Sequence, residues 1–195
     1  REGFAARQLL ASHAGVHGPD AEAAIFAREY ASALNASTIV AGFGGDAEAR
    51  VAGALAPRAA FVEHRAVEPF YFGDEAWTAA LRGRRVLIVH PFADTIRDQY
   101  AKHAAGDLLW PEAVLPSDLD LVIVKAPSSL GRDANGTWSQ ALRETKSAID
   151  GAFPVDAALL GCGAYGLPLA AHVVSSGASA VYVGGGLQLL FGIMG

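Results

Sequence analysis

The sequence predicts an α/β fold: a Rossmann-like, mainly parallel sheet with helices on both faces, in a single domain over 1–195. Three observations predict it. Short β-branched or apolar runs alternate with helical patterns through the second half, which implies parallel strands joined by right-handed crossovers. One run, Arg85-Val86-Leu87-Ile88-Val89-His90, is apolar without interruption from Val86 to Val89, as a strand buried on both faces should be. Several strand ends pass into glycine- or proline-rich turns, the places where open parallel sheets hold ligands. The length of 195 residues suits one domain, with a helical N-terminal segment at 1–35 and a nucleotide-binding core at 36–195.

Each element has its own signal. Pro19-Asp20 starts a helix on which Ala24, Ile25, Ala27, Tyr30, Ala31 and Leu34 fall at helical spacing. Ser37 to Ala41 is a β-branched strand ending in Gly42-Phe43-Gly44-Gly45. Asp46-Ala47-Glu48 opens a helix through Val51 and Leu55, stopped at Pro57. Ala60-Phe61-Val62 is a weak strand, and Gly73-Asp74-Glu75 caps a short helix through Trp77 and Leu81. After the strand at Arg85–His90, Asp94-Thr95 reads as a helix N-cap. Leu119 to Val124 is the next strand, and 125–136 a loop. Thr137 opens a helix carrying Trp138, Leu142 and Ile149. Asp156 to Leu160 is a strand, Leu167 to Ser175 a helix, and Ala180 to Val183 the last strand.

Composition narrows the function. Hydrophobic residues make up 52% and charged residues 18%, which excludes disorder and fibrous repeats. A chain of this size buries roughly 70% of its unfolded surface and needs no staple from metal or disulfide. The single Cys162 allows no internal disulfide and, with the lack of a signal-peptide pattern, fits a cytoplasmic location. A net charge of −5, without a basic stripe, argues against nucleic acid as a partner. No run of ~20 apolar residues exists, so no transmembrane segment is expected. The start at Arg1 and the stop at Gly195 in an apolar stretch lead us to expect a piece of a longer protein.

Four strand ends carry the candidate chemistry. Gly161-Cys162-Gly163-Ala164-Tyr165-Gly166 follows a strand and opens a helix, the context in which G-x-G-x-x-G binds phosphate. Glycines let the phosphate approach the main chain, and helix-start N–H groups face it. A tight ligand-free turn has the same spacing. A dinucleotide would want an acid at the end of the next strand, but Val181-Tyr182-Val183 ends in Gly184-Gly185-Gly186, so a hydride cofactor is disfavoured. That triple glycine is either a second close approach to ligand or a plain turn. Behind Gly44 and Gly45, Asp46 and Glu48 can share Mn²⁺ or Mg²⁺, or serve only as acids matched to a helix start. His90 and Asp94 can point into one crevice as a general base or hydroxyl contact, or be a structural histidine beside a cap. Cys162 reads as a small buried thiol, because Leu160 breaks the nucleophile-elbow pattern.

The order of these turns resembles the GT-D glycosyltransferases, bacterial enzymes of surface polysaccharide and glycoprotein synthesis. Gly45-Asp46-Ala47-Glu48 matches the last four positions of that group's R-F/Y-G-D-G-E, with Ala47 in place of glycine and no arginine at 42 or 43. The segments 86–96, 160–170 and 184–193 are similar to a bacterial family of polysaccharide gene neighbourhoods near GT-D. The resemblance covers roughly 36 to 195. It implies a nucleotide-sugar donor, expected to be a UDP-sugar, a divalent metal held by Asp46 and Glu48, and a diphosphate on the Gly161–Gly166 turn. Gly44, Gly45, Gly161, Gly163, Tyr165, Gly166, Gly184 and Gly185 would border the donor, with Asp46, Glu48, His90 and Asp94 as the catalytic set. A glycan or glycopeptide would accept the sugar, and a homo-oligomer is allowed for. The competing expectations are an NAD(P)-dependent oxidoreductase and a non-catalytic nucleotide-binding protein.

Overall fold

The computed structural model describes residues 11, 16, 20–127 and 136–194. The chain folds as α1 (Asp20–Ala36), β1 (Ile39–Gly42), α2 (Asp46–Leu55), β2 (Ala60–Glu63), a run of 3-10 turns, β3 (Arg85–His90) and α3 (Ala93–Ala104). It continues with β4 (Asp120–Lys125), α4 (Trp138–Asp150), β5 (Ala157–Leu160), α5 (Gly166–Ser175), β6 (Ser179–Tyr182) and α6 (Gly186–Leu190). Every strand pairing is parallel. The fold is therefore α/β with parallel sheets, as the alternation of patterns required. No helix among the described residues is long and apolar enough to cross a membrane.

The strands do not join one sheet. They divide into a two-stranded β1–β2 sheet and a four-stranded sheet in the order β4-β3-β5-β6, a correction to the single sheet expected. In the larger sheet the chain runs from β3 outward to β4, returns past β3 to β5, and continues outward to β6. The direction of winding thus reverses between β3 and β5.

β3 shows why this sheet is the core. Val86, Leu87, Ile88 and Val89 are all at 0% exposure, and successive residues serve opposite faces. Leu87 and Val89 join Trp138, Leu142 and Ile149 of α4, Leu169 and Val173 of α5, and partly buried Ile25 and Phe26 of α1. Val86 and Ile88 join Ile96 and Tyr100 of α3, Leu187 and Leu190 of α6, and Phe191. A strand with period-two side chains and apolar residues on both faces is what a helix-covered sheet needs. Partly buried Trp77 and Trp110 flank the second core, and Trp138 lies in the first. All three indole N–H groups are buried without a hydrogen-bond partner among the described residues.

Polar groups fix the remaining contacts. Glu22 of α1 accepts from the Ser139 backbone N–H at 2.9 Å and the Ser139 hydroxyl at 3.0 Å, placing a carboxylate at the start of α4 where the helix dipole favours it. Thr137 caps the same helix by accepting from Gln140 N–H at 3.2 Å. His103 on α3 accepts Leu109 N–H at Nδ1 (3.0 Å) and meets the Leu115 carbonyl at Nε2 (2.6 Å), pinning the connection into β4.

Two local expectations are corrected. The short helix expected over 73–81 is a set of 3-10 turns, the last at Trp77–Leu81, preceded by others at His64–Val67, Pro69–Tyr71 and Gly73–Glu75. Pro69 and the left-handed Gly73 (φ +51°) break the stretch before an α-helical turn can propagate. Asp94 is not the N-cap of α3: Phe92 holds that position, and the Asp94 carboxylate pairs with Arg97 at 2.9 Å and Lys125 at 3.5 Å. Of the loop expected over 125–136, Lys125 belongs to β4, and 128–135, like Pro19, lie outside the described residues.

Candidate functional site

The Gly161–Gly166 turn connects β5 to α5 at the reversal point, as the sequence places it. It enters a 3-10 turn at Gly163–Tyr165 and then the helix. Its glycines answer to packing. A Cβ on Gly161 would come within 2.7 Å of the Gly184 carbonyl and 2.8 Å of both the His90 ring and Leu187. A Cβ on Gly166 would run into the Tyr182 ring. Gly163 has φ +55°, a left-handed turn that glycine adopts freely, and its carbonyl accepts the Tyr182 hydroxyl at 3.0 Å. Tyr165 stacks on Trp138 (5.6 Å, 18°), and burial pushes its phenol up to about 12. Cys162 is buried, and burial pushes its thiol up to about 12, so no thiolate nucleophile forms near neutral pH. The main chain at Gly161 and Gly166 is therefore covered by protein.

His90 ends β3 at 3% exposure. Its Nδ1 accepts Phe92 N–H at 3.0 Å, so the proton of the neutral ring sits on Nε2, and burial lowers the imidazole to about 4. Asp94 points elsewhere: it is exposed, and hydrogen bonding with Arg97 and the charge of Lys125 hold it below the usual carboxylate range. His90 ends β3 and Asp94 sits in the first turn of α3; with one buried and the other exposed and held by Arg97 and Lys125, they do not form an acid–base pair.

Asp46 and Glu48 open α2 behind Gly45. Glu48 Oε2 accepts Phe43 N–H at 2.8 Å and Gly45 N–H at 3.3 Å, tying the glycine-rich turn to the helix it precedes. This is half of a capping box. Gly44 takes φ +86°, and both acids are exposed. Among the described residues no group of three or more His, Cys, Asp or Glu side chains stands where it could hold a metal ion. With one oxygen of Glu48 already committed to two N–H donors, the pair does not fit a resident Mn²⁺ or Mg²⁺ site, and no step below passes through one.

Side chains that sequence reasoning passed over connect the acidic turn to the triple glycine. The Phe43 ring, 78% exposed, stacks on His64 at 4.2 Å and 28°. His64 Nε2 lies 3.7 Å from Glu68 Oε1. The Glu68 carboxylate lies against Gly186, where a Cβ would be 2.6 Å from Oε1. Gly184 (φ +73°) and Gly185 have nothing within 4 Å of a notional Cβ, unlike Gly161 and Gly166. The contacts thus run Glu48, Phe43, His64, Glu68, Gly186, and Gly184 and Leu187, the neighbours of Gly186 in that turn, adjoin Gly161. The i, i+4 spacing of His64 and Glu68 was the one signal in the sequence, and it lay in a stretch without periodicity.

Two concavities lie away from these turns. One, about 290 Å³, is lined by Arg97, Tyr100, Ala101, Leu121 and Ile123. The other, about 440 Å³, is a shallow depression along α2 at Ala47, Arg50, Val51, Ala54 and Leu55. Comparison with protein-family models, curated proteins and solved structures finds no match to this chain.

Proposed function

We propose that the chain binds a nucleoside diphosphate sugar over the carboxyl ends of β1 and β6 and transfers the sugar to a glycan or glycopeptide acceptor. The observation that carries this reading is the open Gly184-Gly185 turn, next to Gly186 under the Glu68 carboxylate, which His64 links to the exposed Phe43 ring. Gly184 N–H is taken by the Leu160 carbonyl at 3.2 Å, so the donors this turn would offer to phosphate oxygens are the N–H groups of Gly185 and Gly186. An exposed ring offers a base a stacking surface worth about 1–3 kcal/mol. Carboxylates at Glu68 and Asp46 can accept from sugar hydroxyls. The resemblance in 86–96, 160–170 and 184–193 supports the sugar donor over other nucleotides.

Transfer would break the bond between the anomeric carbon and the diphosphate and form one to the acceptor oxygen, whose hydroxyl proton would pass to water. The Gly185 and Gly186 N–H groups would stabilise charge on the departing diphosphate. A dinucleotide reading fits less well: Gly161 and Gly166 are covered by His90, Leu187 and Tyr182, and no carboxylate follows β6 before Gly184.

The test is a melting series with UDP, UDP-sugars and NAD(P)H, each with and without Mn²⁺. A nucleoside diphosphate at ~100 times its dissociation constant should add about 2.7 kcal/mol, a rise of about 5–10 °C for a chain of this size. Phe43→Ala should cut that stabilisation to about 0.3–1.8 kcal/mol at the same ligand concentration, while the unliganded melting point moves by about 2 °C or less, the ring being exposed. No shift with any uridine nucleotide, under either metal condition, rules the reading out.

A further inference from the structure

A nucleoside diphosphate sugar and the diphosphate left after transfer differ by one charge. In the donor the sugar caps the terminal phosphate. Once the sugar has gone, that phosphate is bare and carries one more negative charge above its second pKa of about 6. Main-chain N–H groups alone hold the bare phosphate at least as well as the capped one, because a more highly charged oxygen accepts a stronger hydrogen bond. Reversing that preference takes an anion beside the phosphate, and more so an anion that also meets the sugar.

Glu68 is placed to be that anion. It follows the 3-10 turn His64–Val67, and its side chain is 13% exposed. Its carboxylate lies against Gly186, with Oε1 2.6 Å and the carboxyl carbon 3.2 Å from the place a Cβ would take there. The Gly186 nitrogen is two bonds from that place. A phosphate oxygen accepting the Gly186 N–H at about 2.9 Å therefore lies within about 8 Å of Oε1. That is one Debye length at physiological salt, and a partly buried charge is screened less than an exposed one. Among the described residues the basic side chain in ion-pair range of the carboxylate is His64 at 3.7 Å, and no arginine or lysine there cancels its charge.

Resting on the donor site proposed above, we infer that Glu68 makes that site prefer the sugar-bearing nucleotide over the bare diphosphate. The carboxylate accepts from a hydroxyl of the sugar, and it repels the terminal phosphate once the sugar has left. Both effects move the ratio of the two affinities in the same direction. Repulsion between unit charges about 8 Å apart, at an effective dielectric of about 20–80, changes an affinity by about 2- to 30-fold. Glu48 is a poorer candidate for this role, because its Oε2 is engaged by Phe43 and Gly45 N–H and its side chain is in the open. The preference also clears the site after each transfer, since the product is held less tightly than the next donor.

The experiment is titration calorimetry at pH 8 with three probes: UDP, UDP methylated on its terminal phosphate, and the UDP-sugar that gives the largest melting shift. The methyl ester lacks both the extra charge and the sugar hydroxyls. The native chain should bind the ester about 2- to 30-fold more tightly than UDP, and the UDP-sugar more tightly still. In Glu68→Gln the affinity for UDP should rise to within about 2-fold of that for the ester, while the advantage of the UDP-sugar over the ester shrinks by about 3-fold or more. A native chain that binds UDP as tightly as the ester overturns the inference and leaves the donor site standing, and so does a Glu68→Gln chain with the native ratios. Binding of none of the three probes overturns the donor site and this inference with it. If Glu68→Gln fails to fold, the comparison of UDP with its ester in the native chain decides alone.

Discussion

One glycine from each of the two turns shows how different their neighbours are, and substitution separates them. At Gly166 an added methyl meets the ring of Tyr182, whose hydroxyl is already anchored on the Gly163 carbonyl. Gly166→Ala should cost about 1–3 kcal/mol in urea unfolding. At Gly186 the obstacle is the far end of the Glu68 side chain, which can swing aside, so Gly186→Ala should stay within about 1 kcal/mol. His90 gives a pH dependence. Its imidazole is lowered to about 4 in the folded chain against about 6.5 unfolded, because burial disfavours the charged ring, and protonating Nδ1 would also destroy the acceptor for Phe92 N–H. The unfolded chain takes up the proton first, so this stability is complete above about 6.5, falls as the pH drops toward 4, and levels off below. His90→Gln should flatten that limb of the stability profile. The positions of both turns were legible in the sequence because glycine spacing after a strand is a local signal. What covers Gly161 and Gly166 was not, since His90, Leu187 and Tyr182 arrive from other parts of the chain.

Elements were most legible where one physical requirement dominated. β3 had to be uniformly apolar because helices cover both its faces, and α4 announced itself through Thr137 and the spacing of Trp138, Leu142 and Ile149. Thr137→Ala should remove the bond to Gln140 N–H and cost about 0.5–2 kcal/mol, read as a lower urea midpoint with an unchanged slope. The acidic start of α2 was legible as either cap or ligand set, and Glu48 is found bonded to Phe43 and Gly45 N–H. Glu48→Ala should therefore lower stability by about 0.5–2 kcal/mol even without nucleotide. The stretch His64–Leu81 was opaque because 3-10 turns have no amphipathic period. The two side chains that link the acidic turn to the triple glycine, His64 and Glu68, lie in that stretch.

At the scale of the whole molecule, alternation of strand and helix gave the parallel architecture, but not the division of the strands between two sheets. Whether β1 and β2 hydrogen-bond to β6 depends on contacts between distant segments, such as Glu68 against Gly186, which no local pattern encodes. The larger sheet separates two cores, and the tryptophans are shared between them: Trp138 on one side, Trp77 and Trp110 on the other. Among the described residues their indole N–H groups are buried and unbonded. Native emission should accordingly be blue-shifted and resistant to acrylamide, moving to the red as each ring meets water. Single-tryptophan variants would then act as independent lamps for the two halves of the interior. Coincident red shifts from both would mean that the halves melt as one cooperative unit.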